Sequence, residues 1–228
     1  MTGRGWVGHL AMLILAACAV ILLFVRDVID MVAIWWHAST YNHCILILPI
    51  AIWLVMQRKD EVARFTPRTW TPGLALIAGA GLLWIVGEAA GIALFRHGAV
   101  VLMLQCLVPT ILGLTITRAV LFPLFYLSFM VPAGEELIPI LQTITAKMSM
   151  VLLGLFGIPA HINGIFITIP NGYFKVAEAC SGVKFLVAMV AYGALVANLC
   201  FRSWPRRIAF MAVSVVVPIL ANGLRAFG

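Results

Sequence analysis

Stretches of about 20 residues without a single charged side chain constrain this sequence more than any other feature. A helix needs about 20 mostly apolar residues to cross the hydrocarbon core of a bilayer, and charges are costly inside it. Four stretches meet this requirement, at residues 5–25, 69–87, 97–117 and 185–201, and two shorter ones lie at residues 119–134 and 208–224. The sequence therefore predicts a chain that crosses a membrane several times.

The composition indicates the same class of protein. Apolar residues make up 64% of the chain and charged residues 10%, whereas soluble domains lie near about 50% and 25%. The mean hydropathy is +1.10. We predict an all-α polytopic membrane protein with about seven or eight transmembrane helices. It should form a single integral membrane domain over residues 1–228, with no room for a separate soluble domain.

The basic residues predict how the chain is oriented. They lie in short clusters between the apolar runs, so the net charge of +7 favours helix orientation over nucleic-acid binding. The positive-inside rule assigns the clusters at residues 57–73 and 201–208 to the cytoplasm. Alternation then makes residues 26–42 an outer loop, with Trp35 and Trp36 as interfacial anchors. The same alternation brings Cys180 and Arg225 to the outer face.

Residues 135–157 do not fit simple alternation. An apolar face there lies opposite a polar one that holds Gln142, Thr143, Lys147 and Ser149. We interpret the segment as an interfacial or re-entrant amphipathic helix, with a tilted membrane span as the alternative.

A small outer hairpin is predicted next. The β-prone residues 165–169 and 173–176 flank the turn sequence Pro170-Asn171-Gly172. This hairpin should deliver the chain to Cys180, and a membrane helix should begin within a few residues of that cysteine.

Cys180 is the first candidate for chemistry. The N-terminal end of a helix stabilises a nearby anion such as a thiolate, Lys184 adds a positive charge and Glu178 opposes it. Gly182 permits a close approach to the backbone, which we expect a substrate carbonyl to use. The alternative is a small cysteine at a helix start without reactivity.

Arg225 is the second candidate, because it ends a helix that is otherwise free of charge. Its fork of donors suits a carboxylate or a tetrahedral oxyanion. An arginine is a poor proton donor, since its side chain holds its proton tightly. The alternative is a side chain that reaches the outer headgroups.

Other polar residues carry weaker signals. Four histidines are expected on the outer side, of which His43 is the best placed at a segment end, although a structural role is favoured (His37, His43, His97 and His161). Glu135 and Glu136 suggest a glutamate-type intramembrane protease, but glutamates at a helix N-terminus are the better interpretation. The five cysteines show no CxxC pair, and no His-x-x-x-His motif or His/Cys cluster predicts a metal.

With these segments assigned, the chain closely resembles the exosortase family, in particular the exosortase A type that processes PEP-CTERM proteins. The resemblance runs from Tyr41-Asn42-His43 to the end of the chain. Its most specific strings are Val176-Ala177-Glu178-Ala179-Cys180-Ser181-Gly182-Val183-Lys184-Phe185-Leu186 and Ile219-Leu220-Ala221-Asn222-Gly223-Leu224-Arg225-Ala226.

The resemblance implies a membrane cysteine protease and transpeptidase. Cys180 would form an acyl-thioester with the substrate, and Arg225 would act as proton donor or oxyanion partner. Substrates would be secreted proteins with a C-terminal PEP-CTERM sorting signal, cut on the outer, periplasmic side of the inner membrane. The product would pass to an extracellular polysaccharide or another surface acceptor, and no cofactor or metal is expected. The family's third catalytic residue, a histidine, is expected beyond Gly228, which suggests a C-terminally truncated chain.

Two other classes of function stay open. One is a non-catalytic membrane component of polysaccharide export. The other is an intramembrane protease that uses Glu135 and Glu136.

Overall fold

The computed structural model describes residues 3–170 and 172–227, and these residues are mainly helical. The first part of the chain forms eight α-helices, with a 3-10 turn at Leu127–Met130 after the last: α1 Gly3–Leu23, α2 Val25–His37, α3 Cys44–Gln57, α4 Lys59–Val62, α5 Gly73–Ala90, α6 Ala93–Leu112, α7 Leu114–Ala119 and α8 Leu121–Tyr126. The second part begins with a 3-10 turn at Glu135–Leu137, and its elements are α9 Ile138–Leu155, β1 His161–Asn163, β2 Phe166–Ile169, β3 Gly172–Lys175, a 3-10 turn at Glu178–Cys180, α10 Val183–Cys200 and α11 Trp204–Phe227.

Within the described residues, six helices are long and apolar enough to cross a membrane: Gly5–Leu23, Gly73–Ala90, Ala93–Leu112, Glu135–Leu155, Glu178–Cys200 and Trp204–Phe227. Two shorter apolar helices, Cys44–Gln57 and Leu121–Met130, are also present. The predicted class, an all-α polytopic membrane protein with a small sheet before the Cys180 helix, is confirmed. The chain folds as two compact units, residues 1–132 and 133–228.

The first unit contains a helix that the sequence did not predict. Residues 26–42 were expected to form an outer loop, but α2 occupies most of this stretch and buries Asp27 and Met31. Nε1 of Trp35 donates a hydrogen bond of 2.8 Å to the carbonyl of Met130, and its role as an interfacial anchor stays a prediction. The structure places Asp27 of this stretch among partners on other helices.

In the second unit, the sheet lies between α9 and α10 in the chain. Its strands are antiparallel in the order β1-β2-β3, and Ile167 pairs with Ile162 on one side and with Phe174 on the other. The predicted hairpin is thus confirmed as β2 and β3, with β1 added to it. Asn171, in the middle of the predicted turn, lies outside the described residues.

Helices α10 and α11 pack closely together. A Cβ on Gly193 of α10 would lie 2.5 Å from Oγ of Ser214 on α11, so the absence of a side chain at Gly193 is what lets the helices approach. Their apolar side chains also cover a buried cluster of Leu141, Val183 and Leu186. The close fit sets the two helix ends that carry the candidate site.

The polar face of α9 is directed toward the interior of the unit, whereas an interfacial helix would direct it toward water. Gln142, Thr145 and Ser149 are buried within the unit, whereas Val151 and Leu155 are 64% and 77% exposed. Polar side chains that face a protein interior while apolar ones face outward are typical of a helix surrounded by lipid. Because the segment Glu135–Leu155 is also long enough to cross a bilayer, the alternative of a tilted span is favoured.

Candidate active site

Cys180 lies where the chain passes from the sheet to α10. It is the last residue of the 3-10 turn Glu178–Cys180, and its amide donates a 2.9 Å hydrogen bond to the carbonyl of Ala177. The side chain is half-buried and packs against a cluster that contains Ala146, Ile167 and Val176. The cysteine is therefore held by its own turn on one side and by the α9–sheet core on the other.

The start of α10 confirms the prediction that a helix begins close to the cysteine. The helix starts at Val183, and Gly182 precedes it with a left-handed φ of 79°. The amide of Val183 donates to Oγ of Ser181 at 3.4 Å. This first helical N–H is thus paired with the serine, and the thiol lies one turn earlier in the chain.

Gly182 has a different role from the one predicted. We expected it to open the backbone to a substrate, but a Cβ at this position would lie 2.5 Å from Cγ of Asn222. The space beside the glycine is therefore filled by an asparagine of α11. A side chain other than hydrogen would displace Asn222 and would also strain the positive φ.

Asn222 links the two predicted catalytic residues. Its Nδ2 donates to the carbonyl of Cys180 at 2.7 Å and to Oγ1 of Thr145 at 3.1 Å. Its Oδ1 accepts a hydrogen bond of 3.3 Å from Nη2 of Arg225. Asn222 itself is 3% exposed, whereas the Arg225 side chain is exposed. One buried amide thus joins α9, the Cys180 turn and the end of α11.

Arg225 lies in the last turn of α11, at the end of the α10–α11 pair where Cys180 is also found. Its guanidinium carbon lies 5.1 Å from the centroid of the Phe185 ring, a distance at which a cation is attracted to an aromatic face. The side chain is otherwise exposed. The prediction that Cys180 and Arg225 share one end of the bundle agrees with this arrangement, and the side of the membrane stays a prediction.

The polar face of α9 contacts the Cys180 turn and the residues beside it. Nε2 of Gln142 donates a 2.9 Å hydrogen bond to the carbonyl of Val176, which leads from β3 into the turn. Thr145 accepts from Asn222, and Ser149 lines the cavity beside the cysteine. These three side chains lie on one face of the helix because residues three and four apart are neighbours.

Two cavities flank the Asn222 bridge. One, of about 300 Å³, is lined by Cys180, Ser149 and Lys175 together with apolar side chains of α9, the sheet and the end of α11. The other, of about 290 Å³, is lined by Arg225, Asn222 and apolar residues of α10 and α11. The thiol and the guanidinium thus each border a space into which part of an extended peptide could fit.

His43 makes local contacts that suit a structural histidine. Its Nδ1 bonds the carbonyl of Thr40 at 3.2 Å, and its Nε2 lies 3.9 Å from the thiol of Cys44. Burial lowers the pKa of His43, and the hydrogen bond to the carbonyl of Thr40 offsets only part of that effect. Both contacts are local, to residues within three positions of His43 in the chain.

The other histidines lie on separate elements. His37 ends α2, and His97 is buried in the second turn of α6. His161 begins β1, where it is exposed and pairs across the sheet with Thr168. Within residues 3–170 and 172–227, no hydrogen bond joins a histidine to Cys180.

Glu135 and Glu136 form the 3-10 turn that leads into α9, and both side chains are exposed. Oε2 of Glu136 accepts a 3.3 Å hydrogen bond from the amide of Gly134. This local contact is what a helix N-terminus offers to a carboxylate. The interpretation of the pair as helix-terminal glutamates fits the structure, and the glutamate-protease alternative gains no support from it.

Sequence reasoning missed Asn222 and Thr145 as members of the site. The signal for Asn222 was present, because an asparagine in an apolar helix needs a buried partner and this one lies one turn before Arg225. Thr145 gave no such signal, since a threonine in a helix commonly bonds to its own backbone.

Comparison with known proteins identifies the chain's relatives only at the level of a family. The model of the family described as transmembrane exosortase (Exosortase_EpsH) matches residues 35–228. No curated protein and no solved structure matches the chain significantly. The matched range includes all of the second unit, with Cys180, Asn222 and Arg225, and most of the chain before it. The chain therefore belongs to the transmembrane exosortase family.

Proposed function

We propose that this exosortase is a cysteine transpeptidase that cleaves the C-terminal PEP-CTERM signal of secreted proteins. The observation that carries the proposal is the Asn222 bridge, which hydrogen-bonds to the carbonyl of Cys180 and to the guanidinium of Arg225. A nucleophile and a fixed positive charge are thereby held at one end of the same helix pair. Acyl transfer needs both, one to attack the carbonyl carbon and one to stabilise the oxygen.

In the first step, Sγ of Cys180, as thiolate, attacks the carbonyl carbon of the scissile peptide bond. The carbonyl π electrons move to oxygen, and the resulting oxyanion is stabilised by the Arg225 guanidinium, whose planar N–H groups suit an anionic oxygen. When the tetrahedral intermediate collapses, the C–N bond breaks, a thioester forms on Cys180 and the amine leaves after taking up a proton.

In the second step, an acceptor nucleophile attacks the thioester carbon, gives its proton to the group that protonated the leaving amine, and releases Sγ as the thiolate. The proton that the leaving amine needs is not supplied by Arg225, because an arginine side chain holds its proton too tightly. The family resemblance assigns that role to a histidine, and we adopt the assignment. Arg225 is then the oxyanion partner, and His43 is a structural residue.

The cavities support a peptide substrate that enters from the membrane. The Cys180 cavity is mostly apolar and carries one cation, Lys175, which suits a proline-rich segment with an acidic residue. The Arg225 cavity opens along the apolar sides of α10 and α11, which suits the start of a substrate's own membrane helix. We place cleavage on the periplasmic side of the inner membrane, with an exopolysaccharide or another surface molecule as acceptor.

The test is processing of a PEP-CTERM substrate in cells that express the full-length enzyme. Cys180→Ala should abolish processing, so that uncleaved precursor accumulates in the membrane. The matched control is Cys200→Ala, because Cys200 is an exposed cysteine at the opposite end of the same helix. The control should process substrate at the wild-type rate. Normal processing by a Cys180→Ala enzyme that is present at wild-type level would refute the proposal.

A further inference from the structure

Two helices of the first unit bring together three side chains that can bind a metal. Asp27 and Asp30 lie three residues apart on α2 and so share one face, and His97 lies in the second turn of α6. One ligand atom from each lies within 4.8 Å of the other two. Asp27 is 5% exposed and His97 is 2% exposed, whereas Asp30 is open to solvent.

His97 provides a second, independent indication of a ligand. Its Nε2 is buried and has no hydrogen-bond partner within the described part of the chain. A buried polar atom of this kind is rare in folded proteins unless something binds it. The lone pair of a neutral imidazole nitrogen is the commonest protein ligand for transition metals.

The surroundings of Asp27 resemble those of an oriented metal ligand. Trp84 Nε1 donates a 2.8 Å hydrogen bond to Oδ2, and Nε of Arg96 lies 3.3 Å from Oδ1. The hydrogen bond from Trp84 uses one of about four lone-pair positions on the carboxylate, and the Arg96 contact is an ion pair without hydrogen-bond geometry. Partners of this kind fix the direction of a ligating group and strengthen metal binding.

The charges of the cluster favour a divalent cation. Arg96 also pairs with Glu88, through Nη1 and Oε2 at 2.8 Å. Its single positive charge therefore faces three carboxylates, those of Asp27, Asp30 and Glu88. The cluster keeps a formal charge of about −2 when His97 is neutral, which a divalent cation would balance.

We propose that Asp27, Asp30 and His97 bind a divalent transition-metal ion that joins α2 to α6. Two oxygens and one nitrogen suit Zn²⁺ or Mn²⁺, whereas Mg²⁺ and Ca²⁺ prefer oxygen ligands alone. Ligand atoms about 2.0–2.2 Å from Zn²⁺ lie about 3.3 Å apart in a tetrahedron, so the cluster must contract slightly. The exposed Asp30 can supply that movement, and water can complete the coordination. This inference is independent of the proposed function.

The test is Zn²⁺ binding by the full chain in lipid nanodiscs, after removal of metal with a chelator. Wild-type protein should bind one Zn²⁺ that raises its melting temperature, and Asp30→Asn and His97→Gln should each weaken that binding by at least about tenfold. Asp30→Asn is the decisive variant, because its exposed side chain can be changed without disturbing the core. Asp60→Asn, at an exposed aspartate of α4, is the matched control and should bind as wild type does.

Three outcomes would overturn the proposal. The first is wild-type protein that binds no Zn²⁺ in the micromolar range. The second is binding of equal strength in wild type and Asp30→Asn, which would assign the metal to cysteines. The third is a melting temperature of wild-type protein that rises with protonation of His97 and not with Zn²⁺, which would make the cluster an ion pair.

Discussion

Replacement of Asn222 by alanine removes the link between the Cys180 turn and Arg225. The substitution deletes the hydrogen bonds of 2.7 Å to the Cys180 carbonyl and 3.1 Å to Oγ1 of Thr145, along with the 3.3 Å contact from Arg225. It also leaves a void beside Gly182, whose missing Cβ is what allows the asparagine to fit. Both candidate catalytic residues stay in the chain, so only their positioning is changed.

The expected size of the effect follows from the two buried contacts. A net hydrogen bond between neutral groups contributes about 1 kcal/mol, so the loss of these two costs about 2 kcal/mol. The contact between Arg225 and Asn222 adds little to this free energy, because the Arg225 side chain is exposed and solvent screens the interaction. If this free energy holds Cys180 in its reactive position, kcat/KM falls by about 30-fold.

The assay is cleavage of a peptide substrate by purified full-length enzyme in nanodiscs, followed by mass spectrometry. The matched control is Thr145→Val, which deletes only the 3.1 Å hydrogen bond and leaves the Cys180 contact intact. We expect this control to lose about 1 kcal/mol of folding stability with less than about a fivefold change in kcat/KM. Asn222→Ala should act mainly on kcat, because the reacting groups are displaced while the cavities persist.

Equal kcat/KM values for Asn222→Ala and wild type, within about twofold, would refute the reasoning. So would equal losses in Asn222→Ala and Thr145→Val, since the activity would then follow stability and not the position of Cys180.

Three further predictions concern the same structure. Gly182→Ala should lower the melting temperature and the cleavage rate together, because its φ of 79° and its close asparagine neighbour exclude a Cβ; Gly154→Ala, with no atom within 4 Å of the added Cβ, should change neither. In cells, a membrane-impermeant maleimide should label Cys180 from outside and Cys200 only after permeabilisation; the reverse pattern would contradict the proposed orientation. Burial lowers the pKa of His43, so the unfolded chain binds a proton at this histidine more readily than the folded one. The free energy of unfolding should therefore be highest above the unfolded-state pKa of His43 and should fall as the pH drops through the lower folded-state pKa. Thermal unfolding between pH 8 and 5 should show a weaker pH dependence in His43→Gln, and an unchanged dependence would contradict this assignment.

The sequence predicts the fold class well, because a bilayer alone imposes the pattern of apolar and charged residues. A bilayer demands long apolar helices and puts charges at their ends, so the fold class could be predicted. The position of Cys180 next to the start of α10 could be predicted for the same reason, since the run of apolar residues begins there.

The sequence was less informative where a polar residue is satisfied by a distant partner. Residues 26–42 were assigned to an outer loop by alternation alone, which does not reveal that Asp27 of α2 is buried beside Trp84 and Arg96 from α5 and α6. The polar face of α9 was likewise expected to meet water, because the segment was interpreted as an interfacial helix, and the structure directs this face inward. Hydrophobic patterning reports only that a side chain is polar and does not reveal which interior it faces.

The bridge through Asn222 could not be predicted in its geometry. Its contacts join residues of α9, the Cys180 turn and α11, which are far apart in the chain. They depend on the close packing of α11 against α9 and α10, where Gly193 and Gly223 face side chains of neighbouring helices. The position of a backbone carbonyl in such a bundle is set by tertiary packing.

The most direct test of the central claim is the mass of the acyl-enzyme. Full-length enzyme incubated with a PEP-CTERM peptide and rapidly quenched should carry the N-terminal part of that peptide on Cys180, as an adduct that hydroxylamine releases. The adduct should be absent from Cys180→Ala. Turnover of the peptide by wild-type enzyme without any adduct on Cys180, or with an adduct on another residue, would contradict the account.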